Sequence, residues 1–245
     1  MSRPLLLAPL LLMALGASAP ALADETDPPE ALSLSGGVTV VSDYRFRGLS
    51  QSAGDPALQG SLRVDHESGF YAGLWASTLK RVPRAGNAEV DLSAGWAGDI
   101  GSGLTLDVGA VYYAYPDRHS GPTDFAEVTG ALSTTLGPAN ARLGVSYAWD
   151  QKALGDDNLS LAADLDGGIP NTPLSLSAHL GYSDGALSPR RLTGKGQGGG
   201  IDYALGARYA LSGKLTLGAT YMGVEGRALR GFSGDTVVGT LALNF

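Results

Sequence analysis

The sequence predicts an all-β fold: a transmembrane, antiparallel up-and-down β-barrel of about 12 strands. Three observations carry that expectation. Apolar and polar residues alternate with a period of two in segment after segment from Leu32 to Phe245, the pattern of strands with one face in an apolar medium. Connections alternate between short turns and longer loops, as they do in outer-membrane barrels. The face opposite the apolar one is small and polar with scattered charges. A two-sheet sandwich, the competing all-β arrangement, fills one face with bulky core and wets the other.

Residues 1–23 read as a cleaved secretory signal, with Arg3, an apolar run through Leu12 and small residues ending in Ala21-Leu22-Ala23. That run is too short for a membrane-spanning helix. Residues 24–30 (DETDPPE) make a short acidic arm with nothing to bury. Residues 31–245 are expected to form the barrel. Its first segment sets Leu32, Leu34, Val38 and Val40 against Ser33, Ser35 and Thr39. The next two form a hairpin: Leu58, Leu62 and Val64 oppose Gln59, Ser61, Arg63 and Asp65. The apolar side resumes after His66-Glu67-Ser68-Gly69 with Phe70, Ala72, Leu74 and Ala76.

The rhythm continues through Val90–Trp96, Leu104–Tyr112, Ala126–Leu132, Ala141–Trp149, Leu159–Leu165, Leu174–Tyr182, Ile201–Tyr209, Leu215–Tyr221 and Val237–Phe245. Short turns fall near Ser68, Gly101, Gly137, Pro170 and Gly213, and longer loops at 78–87, 116–123, 150–157, 184–199 and 224–234. Tyr44, Phe46, Tyr112, Trp149, Tyr182, Tyr203 and Tyr221 lie near strand ends on the apolar side, where an aromatic girdle belongs. An even strand count closes the sheet and leaves no unpaired edge in lipid.

Composition agrees. Gly is abundant at 36 residues and charged residues are 17% of the chain, which suits short strands and tight turns. The chain has no cysteine, so a disulfide scaffold and any cysteine chemistry are excluded. Its three histidines, His66, His119 and His179, do not stand at metal-ligand spacing, and no G-x-S-x-G or H-E-x-x-H occurs. Ser175 and Ser177 share a face with His179, but that face looks inward, away from a lipid substrate. The glycine-rich stretch from Thr193 to Gly200 lacks the spacing of a phosphate-binding loop. No enzyme activity, cofactor, metal or nucleic-acid partner is expected.

With the N-terminus on the periplasmic side, the inward register carries Asp65, Glu89, Asp91, Asp107, Glu127, Asp164, Asp166 and Asp202 against Arg63, Arg142 and Arg208, with Arg45 and Arg47 at the outer end. These thirteen residues are the candidate lining of a lumen. Charged rings in a low-dielectric wall select ions by sign, so the acid excess favours cations. Pairing across neighbouring strands, bracing the wall, is the other use for such charges. Arg45 and Arg47 are placed to pair with Glu89 and Asp91, and Arg63, Arg142 and Arg208 with the lower aspartates. A lining of Gly, Ser, Ala and Thr leaves room for water.

The outer loops and strand tops hold Arg45, Arg47, Lys80, Arg81, Arg84, Arg118, Lys152, Arg190, Arg191, Lys195, Arg227 and Arg230. They are available to anionic lipopolysaccharide, to anionic solutes or to solvent.

The stretch from Ser42 to Ser77 carries a resemblance to a known family. Its parts are Ser42-Asp43-Tyr44-Arg45-Phe46-Arg47-Gly48, Gln51-Ser52, Pro56-Ala57-Leu58-Gln59-Gly60 and His66-Glu67-Ser68-Gly69-Phe70-Tyr71-Ala72-Gly73-Leu74-Trp75-Ala76-Ser77. It resembles the TorF-family porins, bacterial outer-membrane proteins in which Ile is more usual at the position of Leu49. The resemblance implies a barrel and a pore and names no solute. The final Leu241-Ala242-Leu243-Asn244-Phe245 resembles the C-terminal strand by which the barrel assembly machinery recognises bacterial barrels. The expected function is passive diffusion of small hydrophilic solutes or ions through an outer-membrane pore with a mild cation preference. The alternative is a non-conducting barrel that acts as a structural or cell-surface interaction protein through its outer loops. A lumen sealed by Arg45, Arg47 and loop residues would favour that alternative.

Overall fold

The computed structural model describes residues 31–82 and 85–245. The signal segment, the acidic arm and Arg84 lie outside the described residues. Fourteen strands follow: β1 (Leu32–Val41), β2 (Arg45–Phe46), β3 (Leu49–Ser50), β4 (Ala57–His66), β5 (Phe70–Val82), β6 (Gly86–Gly101), β7 (Leu104–Ala114), β8 (Phe125–Leu136), β9 (Ala139–Ala148), β10 (Asn158–Gly168), β11 (Leu174–Gly185), β12 (Gly200–Ala210), β13 (Leu215–Val224) and β14 (Thr236–Asn244). A one-turn helix, α1 (Pro189–Leu192), sits in the β11–β12 loop. Twelve strands close one antiparallel barrel, while β2 and β3 pair with each other as a separate hairpin.

Closure is made by β1 and β14, with Gly37 opposite Asn244 and Val41 opposite Thr240. Gly36 and Phe245 add reciprocal backbone hydrogen bonds of 3.0 Å. The C-terminal residue therefore completes the ring, and the backbone has no free edge to present to lipid.

The faces are inverted relative to a water-soluble protein. Leu34 and Leu143 are each 65% exposed and Leu205 is 63% exposed, whereas Glu127 is 1% exposed and Asp202 5%. The alternating apolar side faces outward around the ring, and the alternating polar side faces in. Large apolar groups are stable on an outer surface only when that surface is covered by lipid or another apolar partner. Among the described residues no helix is long and apolar enough to cross a membrane; the strands supply the membrane-facing band.

Short turns, the start of β1 and Phe245 lie at one end of the barrel. The loop carrying β2 and β3, residues 115–124, residues 149–157, the segment with α1 and residues 225–235 lie at the other. Two sequence expectations are corrected here. Residues 78–87 are mostly strand: β5 runs to Val82 and β6 starts at Gly86, with a register irregularity between Thr78 and Val82 that breaks the alternation. Tyr112, Trp149 and Tyr221 do face outward, as expected of a girdle, but Tyr44 is 4% exposed and buried inside the barrel with Phe46 packed nearby.

Three outward tyrosine sites share a device. Tyr112 donates to Asp124 (3.4 Å), Tyr147 to Asp157 (3.1 Å), and Tyr203 and Tyr221 both to Asp235 (3.1 and 2.8 Å). Each aspartate is the last residue before the returning strand. The ring stays apolar and the hydroxyl meets a carboxylate at the rim, the arrangement an interfacial aromatic residue favours.

Candidate functional site: a hairpin across the lumen

The first outer loop does not stay outside. Residues 42–56 turn inward, and β2 and β3 form a hairpin with Arg47 and Gly48 as its two central residues. Both have positive φ, 48° and 74°, the geometry of the tight hairpin turn whose twist matches its strands. Glycine adopts it freely; arginine at such a φ costs roughly 1–2 kcal/mol.

The hairpin is preformed by one carboxylate. Asp43 accepts hydrogen bonds from Ser50 Oγ (2.5 Å), Ser52 Oγ (3.0 Å) and Arg45 Nε (2.7 Å). Arg45 Nη1 donates to the carbonyls of Gly48 and Gly234, each at 2.9 Å, and Ser50 N donates to Phe232 O at 2.7 Å. The base of the loop is thus tied to its own turn and to the β13–β14 loop.

The tip reaches the far wall. Arg47 Nη2 donates to both carboxylate oxygens of Glu127 (2.7 and 2.9 Å) and to Ser146 Oγ (3.1 Å). Glu127 is on β8 and Ser146 on β9. In the barrel order β9 stands six strands from β1 in either direction, so the loop that leaves β1 spans the full diameter. Around it, Phe46 joins two buried apolar clusters: one contains Val41, Tyr44, Trp75, Leu79, Met222 and Val238, the other Val111, Tyr113 and Phe125. Tyr113 stacks on Phe125 at 4.5 Å, and Tyr44 lies 5.3 Å from Trp75. The outer part of the lumen therefore holds a packed apolar core, which corrects the expectation of a small-residue lining. Tyr71, Trp75 and Leu79 face inward on β5.

All thirteen candidate lining residues are buried or half-buried; Arg63 and Arg142 meet lower aspartates as expected, whereas the pairing at the outer end differs from expectation. Arg47 meets Glu127, and Arg45 meets Asp43 within its own loop. Glu89 instead accepts hydrogen bonds from Tyr44 (3.0 Å) and Tyr115 (3.1 Å). No donor among the described residues reaches either oxygen of Asp91.

Deeper in the barrel, Arg63 Nε bonds its strand neighbour Asp65 (2.8 Å) and its guanidinium lies 3.8 Å from the Tyr71 ring. Tyr71 donates to Asp107 (2.8 Å), which has Arg142 at 4.0 Å. The Tyr71 hydroxyl occupies the space over Gly95 and Gly109, which face each other on β6 and β7; a Cβ on Gly109 would meet it at 2.7 Å. His179 bridges Asp164 (2.6 Å) and Asp202 (2.9 Å), so its two ring nitrogens link three neighbouring strands. Asp166 and Arg208 face inward at the lower end.

Sequence reasoning missed the bracing roles of His179, Tyr71 and Tyr44. The first two sat on the inward register and could have been found there. Tyr44 carried no local signal.

The outer basic residues are largely engaged at short range: Lys80 with Asp55 (2.5 Å), Arg191 with Asp156 (2.6 Å) and Arg118 with Asp124 (3.5 Å). The Arg191 hydrogen bond holds the Asp156 carboxyl below the usual carboxylate range. Backbone N–H groups of Asn87 and Ala88 do the same for Asp117.

A closed lipid-facing barrel with a polar interior defines the class: a transmembrane β-barrel of the outer-membrane porin fold. The solved NanC porin superimposes with a TM-score of 0.58 at 13% identity, covering 87% of this chain and 99% of that one. The KdgM porin, solved in complex with disordered oligogalacturonate, gives 0.57 at 8% identity, covering 87% and 98%. At such identities the likeness is one of fold. No curated protein sequence matches the chain. The chain belongs to the Gcw_chp family, described as a bacterial protein of unknown function, whose profile matches residues 25–239.

Proposed function

We propose that the protein is a narrow outer-membrane channel for small hydrophilic solutes or ions, with a preference for cations, and that it is exported by its first 23 residues. On this reading it is a TorF-type porin, inserted through the C-terminal strand that ends in Phe245, with lipopolysaccharide at its outer rim. One observation carries the proposal: the inward face of a closed barrel bears more acids than bases, and among the described residues both oxygens of the buried Asp91 have no partner. Burying charge without a function is costly, and unpaired acids in a low-dielectric wall attract cations.

A second reading has its own observation. Phe46 and the apolar residues around it fill the mouth, as a sealed barrel that works through its outer loops would require.

Liposome swelling separates the two. Vesicles containing the refolded mature protein are expected to swell in small neutral sugars and amino acids and to resist larger oligosaccharides. Vesicles that hold a folded barrel and never swell, even with residues 45–50 replaced by a short linker, would establish the sealed reading.

A further inference from the structure

We propose that the β2–β3 hairpin is a displaceable plug and that Arg47 is the positioning residue that latches it. This rests on the channel reading above. Three features of the hairpin and its seat point to two positions rather than one.

First, the contacts are discrete. The hairpin is a preformed unit organised by Asp43, and its tip is held to the opposite wall by the Arg47 bonds to Glu127 and Ser146. Interfaces of this kind are bistable: they are made or broken as a whole.

Second, costs collect where the hairpin sits. Arg47 has positive φ, and its Nη1 is buried without a hydrogen-bond partner. Thr129 Oγ1, on the strand that carries Glu127, is also unpartnered, as are both oxygens of Asp91. Buried polar groups in native proteins are nearly always bonded, and strain persists where surrounding structure enforces it. Moving the tip away lets water reach each of these groups.

Third, the hairpin is not a strand of the barrel. The twelve-strand ladder is complete without it, so its movement breaks no strand-to-strand hydrogen bond of the barrel, only its own ties to wall and loop. Displacement uncovers Glu89, Asp91 and Glu127 together at the outer end. The open lumen would then present three carboxylates, and the same motion that admits an ion would set its sign.

The test compares the refolded wild type, Arg47→Ala, Arg47→Lys, which keeps a cation for Glu127, and a variant with residues 45–50 replaced by a short Gly-Ser linker. Each is checked for heat-modifiable migration and recorded in planar bilayers.

The wild type is expected to open rarely. Arg47→Ala, which leaves Glu127 only the Tyr113 hydroxyl (3.1 Å) and no cationic partner, should open at least roughly tenfold more often. Arg47→Lys, whose ammonium can still meet Glu127, should restore most of the wild-type closure, and the linker variant should stay open. Wild-type currents that match those of Arg47→Ala and of the linker variant would overturn the plug while leaving the channel reading intact. Folded barrels that never conduct, the linker variant included, would overturn the channel reading and the plug with it.

Discussion

Leu205→Arg lowers the stability of the membrane-inserted barrel by about 2–4 kcal/mol, the cost of arginine on the lipid face at the bilayer midplane. Leu205 is the sixth residue of the eleven in β12 and is 63% exposed. The companion variant is Ser177→Arg. Ser177 pairs with Gly206, one residue along from the Ala178–Leu205 pair, so the two arginines stand at nearly the same depth on opposite faces of the wall. Ser177 also stands directly opposite Asp166 across β10 and β11, where an arginine gains a carboxylate partner. Its expected cost is below about 1 kcal/mol, within the range of a pairing that roughly balances desolvation. Denaturant unfolding from lipid vesicles reads both. Equal destabilisation by the two variants would mean that Leu205 does not face lipid.

The second large effect concerns ion choice. Of the inward acids, Asp107, Glu127, Asp164 and Asp202 have a basic group within 4.0 Å, and Asp65 is bonded by Arg63. Glu89 has tyrosine donors, while among the described residues Asp91 has no partner and Asp166, half-buried at the lower end, stands opposite Ser177 and Asn140 rather than a base. A paired carboxylate is largely neutralised at a distance, so the residual field belongs mainly to the unpaired ones. Asp91→Asn combined with Asp166→Asn keeps the shape and removes both charges from the open lumen, where water reaches and ionises the two carboxyls. The ratio of cation to anion permeability is expected to fall by roughly fivefold, the factor that about 1 kcal/mol represents. An unchanged ratio would assign selectivity to other groups. Neither substitution touches the Arg47 latch.

The barrel was legible in the sequence because the bilayer imposes a simple rule on each strand. Leu58, Leu62 and Val64 face out, and Ser61, Arg63 and Asp65 face in, because each residue reverses direction and one medium is apolar. That rule needs no knowledge of distant residues. The twelve barrel strands follow from it, as do the outward positions of Tyr112 and Trp149.

The plug follows no such rule. Tyr44 and Phe46 are aromatic residues just past a strand end, and a girdle and an inward core leave the same local trace. Their direction is decided by Arg47, whose partner Glu127 lies 80 positions further along the chain. Tyr71 and Trp75 were hidden differently. On β5 both faces carry large apolar groups, so the contrast that separates inside from outside is absent there. Pairing among the inward charges was legible only as an option, because the register of neighbouring strands decides which acid meets which base. His179 meets Asp164 because those two positions are opposed across β10 and β11.

Single-channel recording of the refolded mature protein under a potassium chloride gradient bears most directly on the central claim of a closed, lipid-facing barrel with an acidic, intermittently plugged lumen. Discrete openings with a reversal potential displaced toward that of potassium are the predicted result. Openings that reverse toward chloride, or a folded barrel with no current at any voltage, would contradict it.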